Sequence, residues 1–383
     1  MPLELLDVFS NEARTESIWR ELSALCDHSY FQSWGWIENW LANLPKTVRL
    51  KLAILRSEED SQPQAVFFLG HDTVVNQNVF RSRAYVLNQT GKWEFDRLYI
   101  EHNLILRTRE CRLSLCEMLE MLPPDWEEVY LNALDRDSFP GNDLGGLPAP
   151  YELMIAKELP CRYVDLEKVR GKSGDYLALL GSSVRSQVRR AYKLYEAQGR
   201  LVTEVGGTLP AALSIYQELI DLHNASWQRR NEAGAFATEY FREFHRTLIE
   251  KRLESGEIQL LRIKTGEKTI GCIYNFVFGG RVHFYQSGLA IEEDNRLKPG
   301  YVAHAEAIKL SAEAGHSVYD FLAGTEEYKQ RLSTDERTMV WARIQKPRIK
   351  FKIERFVRQA AIAGQSRYHD WKRAQRTKVA AGQ

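Results

Sequence analysis

The 383-residue chain has no run approaching the roughly 18–20 consecutive apolar residues that a membrane-spanning helix needs. It also has almost no excess charge. Fifty-two Lys and Arg oppose 51 Asp and Glu, a net of +1, so no global field gathers nucleic acid and any basic site must be local. Cysteine is scarce. Cys26, Cys111, Cys116, Cys161 and Cys272 are odd in number and lack scaffold-like spacing, which points to a reducing cytoplasm and not a disulfide-stapled secreted domain. The opening Met1-Pro2-Leu3-Glu4-Leu5-Leu6-Asp7 has no basic region and carries two acids, so it does not read as a secretory signal peptide.

Several catalytic signatures fail as well. Gly171-Lys172-Ser173 would end a phosphate loop, but Leu166 stands where its first glycine belongs. Asp135-Arg136-Asp137 would open a calcium loop, yet Phe139 replaces the third oxygen ligand. Cys111 and Cys116 are too far apart for a CxxC pair, no histidine pair follows at zinc spacing, and no G-x-S-x-G elbow occurs. No metal is expected.

What is present suffices for two cores. Apolar residues make up 44% of the chain, with 9 Trp, 17 Tyr and 16 Phe. The first half mixes helix patterns (Glu12 to Asp27, Trp34 to before Pro45, Cys111–Leu122) with strand patterns (Val48–Arg56, Gln64–Gly70, Ala84–Asn88, Arg97–Ile100, Trp126–Leu134). Residues 135–150 are the clearest loop, which places a domain transition near 160. The second half predicts a basic helix from Asp175 to Gln198, a strand at Leu201–Val205, and helices at Leu209–Arg230 and Thr238–Glu254. A meander through Glu257–Ile263, Thr269–Phe278 and Arg281–Gly288 follows. A helix from Pro299 and strands at Ser317–Leu322 and Thr338–Ile344 complete it. The expected class is a mixed α/β sheet. The expected units are 1–160, 161–346, and a basic helical tail over 347–383.

That order and the local sequence resemble the GNAT acyltransferase superfamily. More narrowly they resemble the subfamily named for cellulose-biosynthesis acetyltransferases, related in structure to the Fem aminoacyl-transferases. The matching stretches are Phe31-Gln32-Ser33-Trp34, Ser186–Arg190, Leu222-His223 with Trp227 and Phe236, Leu297-Lys298-Pro299-Gly300, and Tyr319-Asp320-Phe321-Leu322-Ala323-Gly324 running into Glu327-Tyr328-Lys329. The resemblance implies tandem GNAT-like domains with a degenerate first copy and a working second one. It implies acyl-CoA as co-substrate, held at a strand that parts from its neighbour, with the pyrophosphate on the next helix N-terminus. Free amides and the helix dipole suit that role. Arg296, Lys298, Gly300 and Tyr301 are the corresponding donor-site residues. The superfamily's usual glutamine-or-arginine and spaced-glycine signature is represented only by Arg296 and Gly300.

Acyl transfer needs a base for the acceptor's proton and an acid for the leaving thiolate. Asp320 or His223 is the candidate base and Tyr285 or Tyr328 the candidate acid, with Trp227, His283, Gly324, Glu327 and Lys329 around the acceptor. The bland alternatives stand beside these: Asp320 as a strand-end cap, Glu326, Glu327 and Lys329 as a solvated turn, His223 as a packed core histidine. Arg185, Arg189, Arg190 and Lys193 form a stripe that is either solvated or attracts an anionic substrate. Segment 346–378 holds eleven Lys and Arg against two acids, interleaved with Phe351, Ile353, Phe356 and Val357. It reads as a helix packed on the body or as a weak contact with an anionic membrane surface. The expected reaction is acyl transfer to an amine or hydroxyl, on a small molecule or saccharide precursor. A Fem-like transfer from aminoacyl-tRNA and a non-catalytic binding module are the alternatives.

Overall fold

The fold is taken from a computed structural model that describes residues 2–59, 61–76, 79–138, 147 and 149–357. The tail beyond 357 and most of the loop at 139–148 lie outside the described residues.

The first half comprises β1 (Leu3–Asp7), α1 (Glu12–Leu25), α2 (Trp34–Asn43), β2 (Leu50–Arg56), β3 (Pro63–Asn76), β4 (Phe80–Leu87), a helical turn α3 (Trp93–Asp96), a short β5 (Leu106–Arg107), α4 (Leu115–Met121) and β6 (Glu128–Asp135). After β7 (Glu152–Asp165) and α5 (Leu166–Arg170) come α6 (Ser182–Glu196), β8 (Leu201–Val205), α7 (Leu209–Gln228), α8 (Glu239–Arg252), β9 (Ile258–Thr265), β10 (Lys268–Phe278), β11 (Arg281–Leu289), α9 (Pro299–Glu313), β12 (Val318–Ala323), α10 (Glu327–Leu332) and β13 (Asp335–Gln345). Local chemistry accounts for many of the starts. The Ser33 hydroxyl accepts from the Trp36 amide at 3.2 Å to open α2. Ser114 and Glu117 form a capping box on α4. α1 buries Thr15, Ile18, Trp19 and Leu22, one stripe of the 3.6-residue period.

One mixed sheet joins the halves in the order β1-β2-β3-β4-β6-β13-β7-β12-β11-β10-β9-β8, with β5 on β3. Read outward from its middle, the sheet repeats itself. Strands β1, β2, β3 and β4 are antiparallel and β4 pairs β6 in parallel; β8, β9, β10 and β11 are antiparallel and β11 pairs β12 in parallel. Each half has two helices after its first strand and a helix, α4 or α9, directly before its parallel strand. The expected tandem GNAT-like arrangement is therefore present. The closing strands are exchanged: β7, leaving the first half, pairs β12, while β13, leaving the second, pairs β6, and the two pair each other along their length. A shared core ties the halves further, with Tyr30 stacked on Phe276 at 4.6 Å and Trp36 edge-on to Phe244 at 4.9 Å.

Several elements differ from the sequence reading. The strand pattern at Arg97–Ile100 is a loop in which Tyr99 has φ +47°. The helix expected from Asp175 to Gln198 begins as a separate 3-10 turn, Tyr176–Leu179, capped by the Asp175 side chain. It is broken by extended Leu180 before α6. Glu327–Leu332 is a helix, not a turn. The transition expected near 160 lies inside β7. That strand escaped notice because its middle is exposed without alternation and contains Pro160. Pro160 sits where pairing with β12 has ended, so its missing N–H leaves no ladder bond unmade.

In the first half, the gap between the two parallel strands is filled by its own chain. β4 and β6 pair from Ala84↔Glu128 to Val86↔Tyr130 and then separate. Asn103 enters the gap, its amide donating to Ala133 O at 2.9 Å. Its Nδ2 donates to Leu87 O (3.1 Å) and Asn132 O (3.0 Å), while Oδ1 accepts from Asn88 Nδ2 (2.7 Å). Asn103 is fully buried. Asn103→Ala takes the side-chain donor from Leu87 O and Asn132 O, while Asn88 Nδ2 keeps its bond to Leu104 O, and each unpaired buried group costs about 1–3 kcal/mol. Urea unfolding should therefore show a loss of about 2–4 kcal/mol. A loss under about 0.5 kcal/mol, the level of an ordinary surface substitution, would deny the plug any structural weight.

Candidate active site

In the second half the equivalent gap is open. β11 runs to Leu289, yet it pairs with β12 only at Arg281↔Val318, Val282↔Tyr319 and His283↔Asp320. Each strand is pulled away from the other. On one side Gly288 lies so close to α7 that an added Cβ would sit 2.4 Å from Leu219 O, and His223 Nδ1–H donates to Ser287 O at 3.1 Å. On the other side, Asp320 Oδ1 accepts from the Leu322 amide at 2.8 Å, Leu322 takes φ +60°, and the β12–β7 register slips between Asp320 and Ala323. The result is a V-shaped cleft with a cavity of about 1180 Å³.

The mouth of the cleft is the start of α9. Lys298 makes no side-chain cap, Pro299 has no N–H, and the first intrahelical bond is donated by Val302 to Lys298 O. The amides of Gly300 and Tyr301 precede that bond, so this end offers donors and a partial positive charge. Lys298, Gly300 and Tyr301 line the cavity; Arg296 does not, being exposed and folded onto Asp294 through Nε and Nη2.

The other sequence candidates divide similarly. His223, Trp227, Tyr285, Gly324, Tyr328 and Lys329 line the cleft. Arg230 stacks on Trp227 at 4.5 Å. Lys329 Nζ donates to Ala323 O at 2.8 Å, and Tyr328 stacks on His304 at 5.3 Å. The Tyr285 hydroxyl donates to Leu98 O at 2.5 Å and accepts from His245 Nε2, and burial holds its pKa well above the usual phenol value. His223 Nε2 has no partner and is covered by Gly234, where a Cβ would come within 2.6 Å of it; burial lowers its pKa. Three candidates do not reach the cavity. Glu327 is exposed and pairs with Arg331, His283 is sealed in the core, and Asp320 is wholly buried.

Asp320 is instead the centre of a closed polar cluster. Oδ2 accepts from His102 Nε2 (3.0 Å) and Arg337 Nη2 (3.2 Å), and Oδ1 accepts from Cys161 Sγ (3.4 Å) as well as from Leu322. Burial alone would raise its pKa; the His102 ring N–H and the Arg337 guanidinium outweigh it and hold the carboxyl well below its usual range. His102, His283 and Asp320 place ligand-type atoms within 4.8 Å of one another. The guanidinium already neutralises the carboxylate, so the cluster is complete as a charge-paired hub.

Residues of the first half, absent from the sequence's site candidates, form the opposite wall: Asp96, Tyr99, Ile100, Glu101, Asn132 and Lys157, joined by Trp341 of β13. Lys157 lies 4.8 Å over the Trp341 ring. Asp96 is saturated by the Thr90 amide and hydroxyl and the Gly91 amide, and burial raises its pKa to about 6. Glu101 accepts from the Ala323 amide at 2.6 Å. Burial pushes its carboxyl up to about 7 against the pull of that amide, Lys329 and His102. No local motif marks Glu101. Its place depends on a loop crossing from one half to the other.

Residues 182–330 match the family model of the acetyltransferase (GNAT) domain. No curated protein sequence matches the chain. Its fold is similar to that of FemX (TM-score 0.55, 11% identity, 85% of this chain and 95% of that one). It is also similar to the C-terminal domain of a putative lysylphosphatidylglycerol synthetase from Agrobacterium fabrum (0.50, 9%, 87% and 92%) and to L-PGS from Bacillus licheniformis (0.50, 12%, 88% and 92%). The match to the acetyltransferase (GNAT) domain is thus confined to residues 182–330, and the overall fold is similar to that of FemX.

The raised Glu101 pKa has a stability consequence. The folded protein binds this proton more tightly than the unfolded chain, whose value is near 4.5, so the contribution is complete below about 4.5 and is lost as pH rises to about 7. Glu101→Gln should therefore raise the unfolding free energy at pH 8, by about 1–3 kcal/mol, and leave it nearly unchanged at pH 4.5. Equal effects at both pH values would mean the carboxyl titrates normally.

Proposed function

We propose that this protein transfers an acyl group from an acyl-CoA thioester to an amine or hydroxyl of a small molecule or saccharide precursor. The observation that carries the reading is the separation of β11 from β12 with the start of α9 at its mouth. An extended pantetheine arm adds to the unpaired edge of β11 as a strand would, and the Gly300 and Tyr301 amides, with Lys298, receive the pyrophosphate. Trp227 with Arg230 and Trp341 with Lys157 supply flat faces and charge for the acceptor. In this reading Asp320 and His283 shape the cleft without touching the reactants, and Tyr328 or Lys329 is better placed than Tyr285 to meet the leaving sulfur. We place the reaction in the cytoplasm, where acyl-CoA is available and the five free cysteines stay reduced. No helix among the described residues is long and apolar enough to cross a membrane.

The fold shared with FemX favours a second reading, an aminoacyl-tRNA donor in the same cleft. A thermal-shift comparison of acetyl-CoA, longer acyl-CoAs, free CoA and charged tRNA separates the two. A true ligand at a hundredfold excess over its dissociation constant adds about 2.7 kcal/mol of stability. A Cβ at Gly300 would meet only the flexible end of Leu289, at 3.0 Å, so Gly300→Val should keep the fold while reducing the acyl-CoA shift at least tenfold in affinity. Equal binding by both proteins would move the donor site elsewhere, and a shift with charged tRNA alone would favour the second reading.

A further inference from the structure

We infer that Glu101, delivered by the first half, is the group that takes the proton from the acceptor attacking in the second half's cleft. The inference rests on the acyl-transfer reading above and adds a base that lies outside the matched GNAT domain at 182–330.

Position comes first. Glu101 stands where the two strands have parted, bonded to the Ala323 amide just past the slip in β12, and it is a half-buried residue that lines the cavity. Among the described residues that amide is its sole hydrogen-bond donor, so the carboxylate has lone pairs to spare. The other candidates are engaged. Asp96 accepts three bonds, Asp320 is closed inside its cluster, His223 Nε2 is covered by Gly234, and His304 is buried against Tyr319. The backbone is also constrained around it. Tyr99 and His102 both hold left-handed φ, +47° and +49°, three residues apart. Each such non-glycine residue costs on the order of 1 kcal/mol and persists only where surrounding structure imposes it, as at sites that must aim a side chain.

The charges facing Glu101 are Lys329 from α10, His102 from its own loop and Asp320 from β12. Burial outweighs the pull of the Ala323 amide, Lys329 and His102, and the resulting value of about 7 suits a base working near neutrality. The step balances without another reagent. As the acceptor nitrogen or oxygen bonds to the thioester carbon, its proton passes to the Glu101 carboxylate. The C–S bond then breaks, and the proton goes on to the thiolate, yielding acylated acceptor and free thiol.

Acetyl-CoA with water as acceptor is a sufficient probe, read as thiol release, with acetyl-CoA binding followed separately by thermal shift. The native rate should rise tenfold per pH unit and level off above about pH 7. Glu101→Gln, whose amide oxygen still accepts from Ala323, should bind acetyl-CoA as native protein does, lose about 10²–10⁴-fold in rate, and lose the inflection. Glu101→Asp, with the charge kept and the reach shortened, should fall between. A Gln variant within threefold of native, or one that keeps the inflection, overturns the assignment. So does native protein that binds acetyl-CoA yet releases no thiol above the buffer rate at pH 8. Native protein that binds no acyl-CoA fails the acyl-transfer reading itself.

Discussion

The buried carboxylate of Asp320 is the constraint on which the site depends. It gathers His102 from the first half's loop, Cys161 from β7 and Arg337 from β13 around one strand of the second half. Leaving a charge in the interior is costly unless it is fully paired, and here the Arg337 guanidinium and three further donors, from His102, Cys161 and the Leu322 amide, meet it. The same carboxylate captures the Leu322 amide, which turns β12 out of register and ends its pairing with β11. The cleft thus opens because a side chain takes a backbone donor that a neighbouring strand would otherwise use.

Duplication explains why only one cleft is open. Both halves separate their parallel strands at the corresponding place, and in the first half Asn103 fills the gap with four hydrogen bonds. That plug belongs to a segment whose preceding residues, Glu101 and His102, reach the second half's cleft and the Asp320 cluster. One short loop closes the first site and furnishes a wall of the second. The exchange of β7 and β13 makes this alignment rigid, since each half's sheet is completed by the other's last strand.

Much of the second half was legible because its elements announce themselves locally. Pro299 and Gly300 mark the start of α9, the Lys264–Lys268 turn joins β9 and β10, and the helix before Trp227 has one apolar face. Tyr319–Lys329 reads in the sequence as a candidate site segment, and Gly324, Tyr328 and Lys329 line the cleft. Asp320 in the same segment does not, because strand alternation says which residues share a face and not which face a neighbouring loop will cover. β7 was missed for a related reason: a strand bordered on both sides by exchanged partners need not alternate, and its exposed middle resembles a loop.

The sequence by itself determined most elements of the second half, their order, the mixed class of the sheet and the helix start at Pro299, since each follows from periodicity, capping or turn chemistry within a few residues. Tertiary structure alone decided the exchanged strands, the filled first cleft and the carboxylate that stands in the open one. Those depend on contacts such as Glu101 with Ala323 and His102 with Asp320, more than two hundred residues apart, between side chains whose local surroundings are unexceptional. A pKa is likewise a property of what surrounds a group once the chain has folded. Glu101 reads in the sequence as one acid among many, and becomes distinct only when burial against the other half takes its water away.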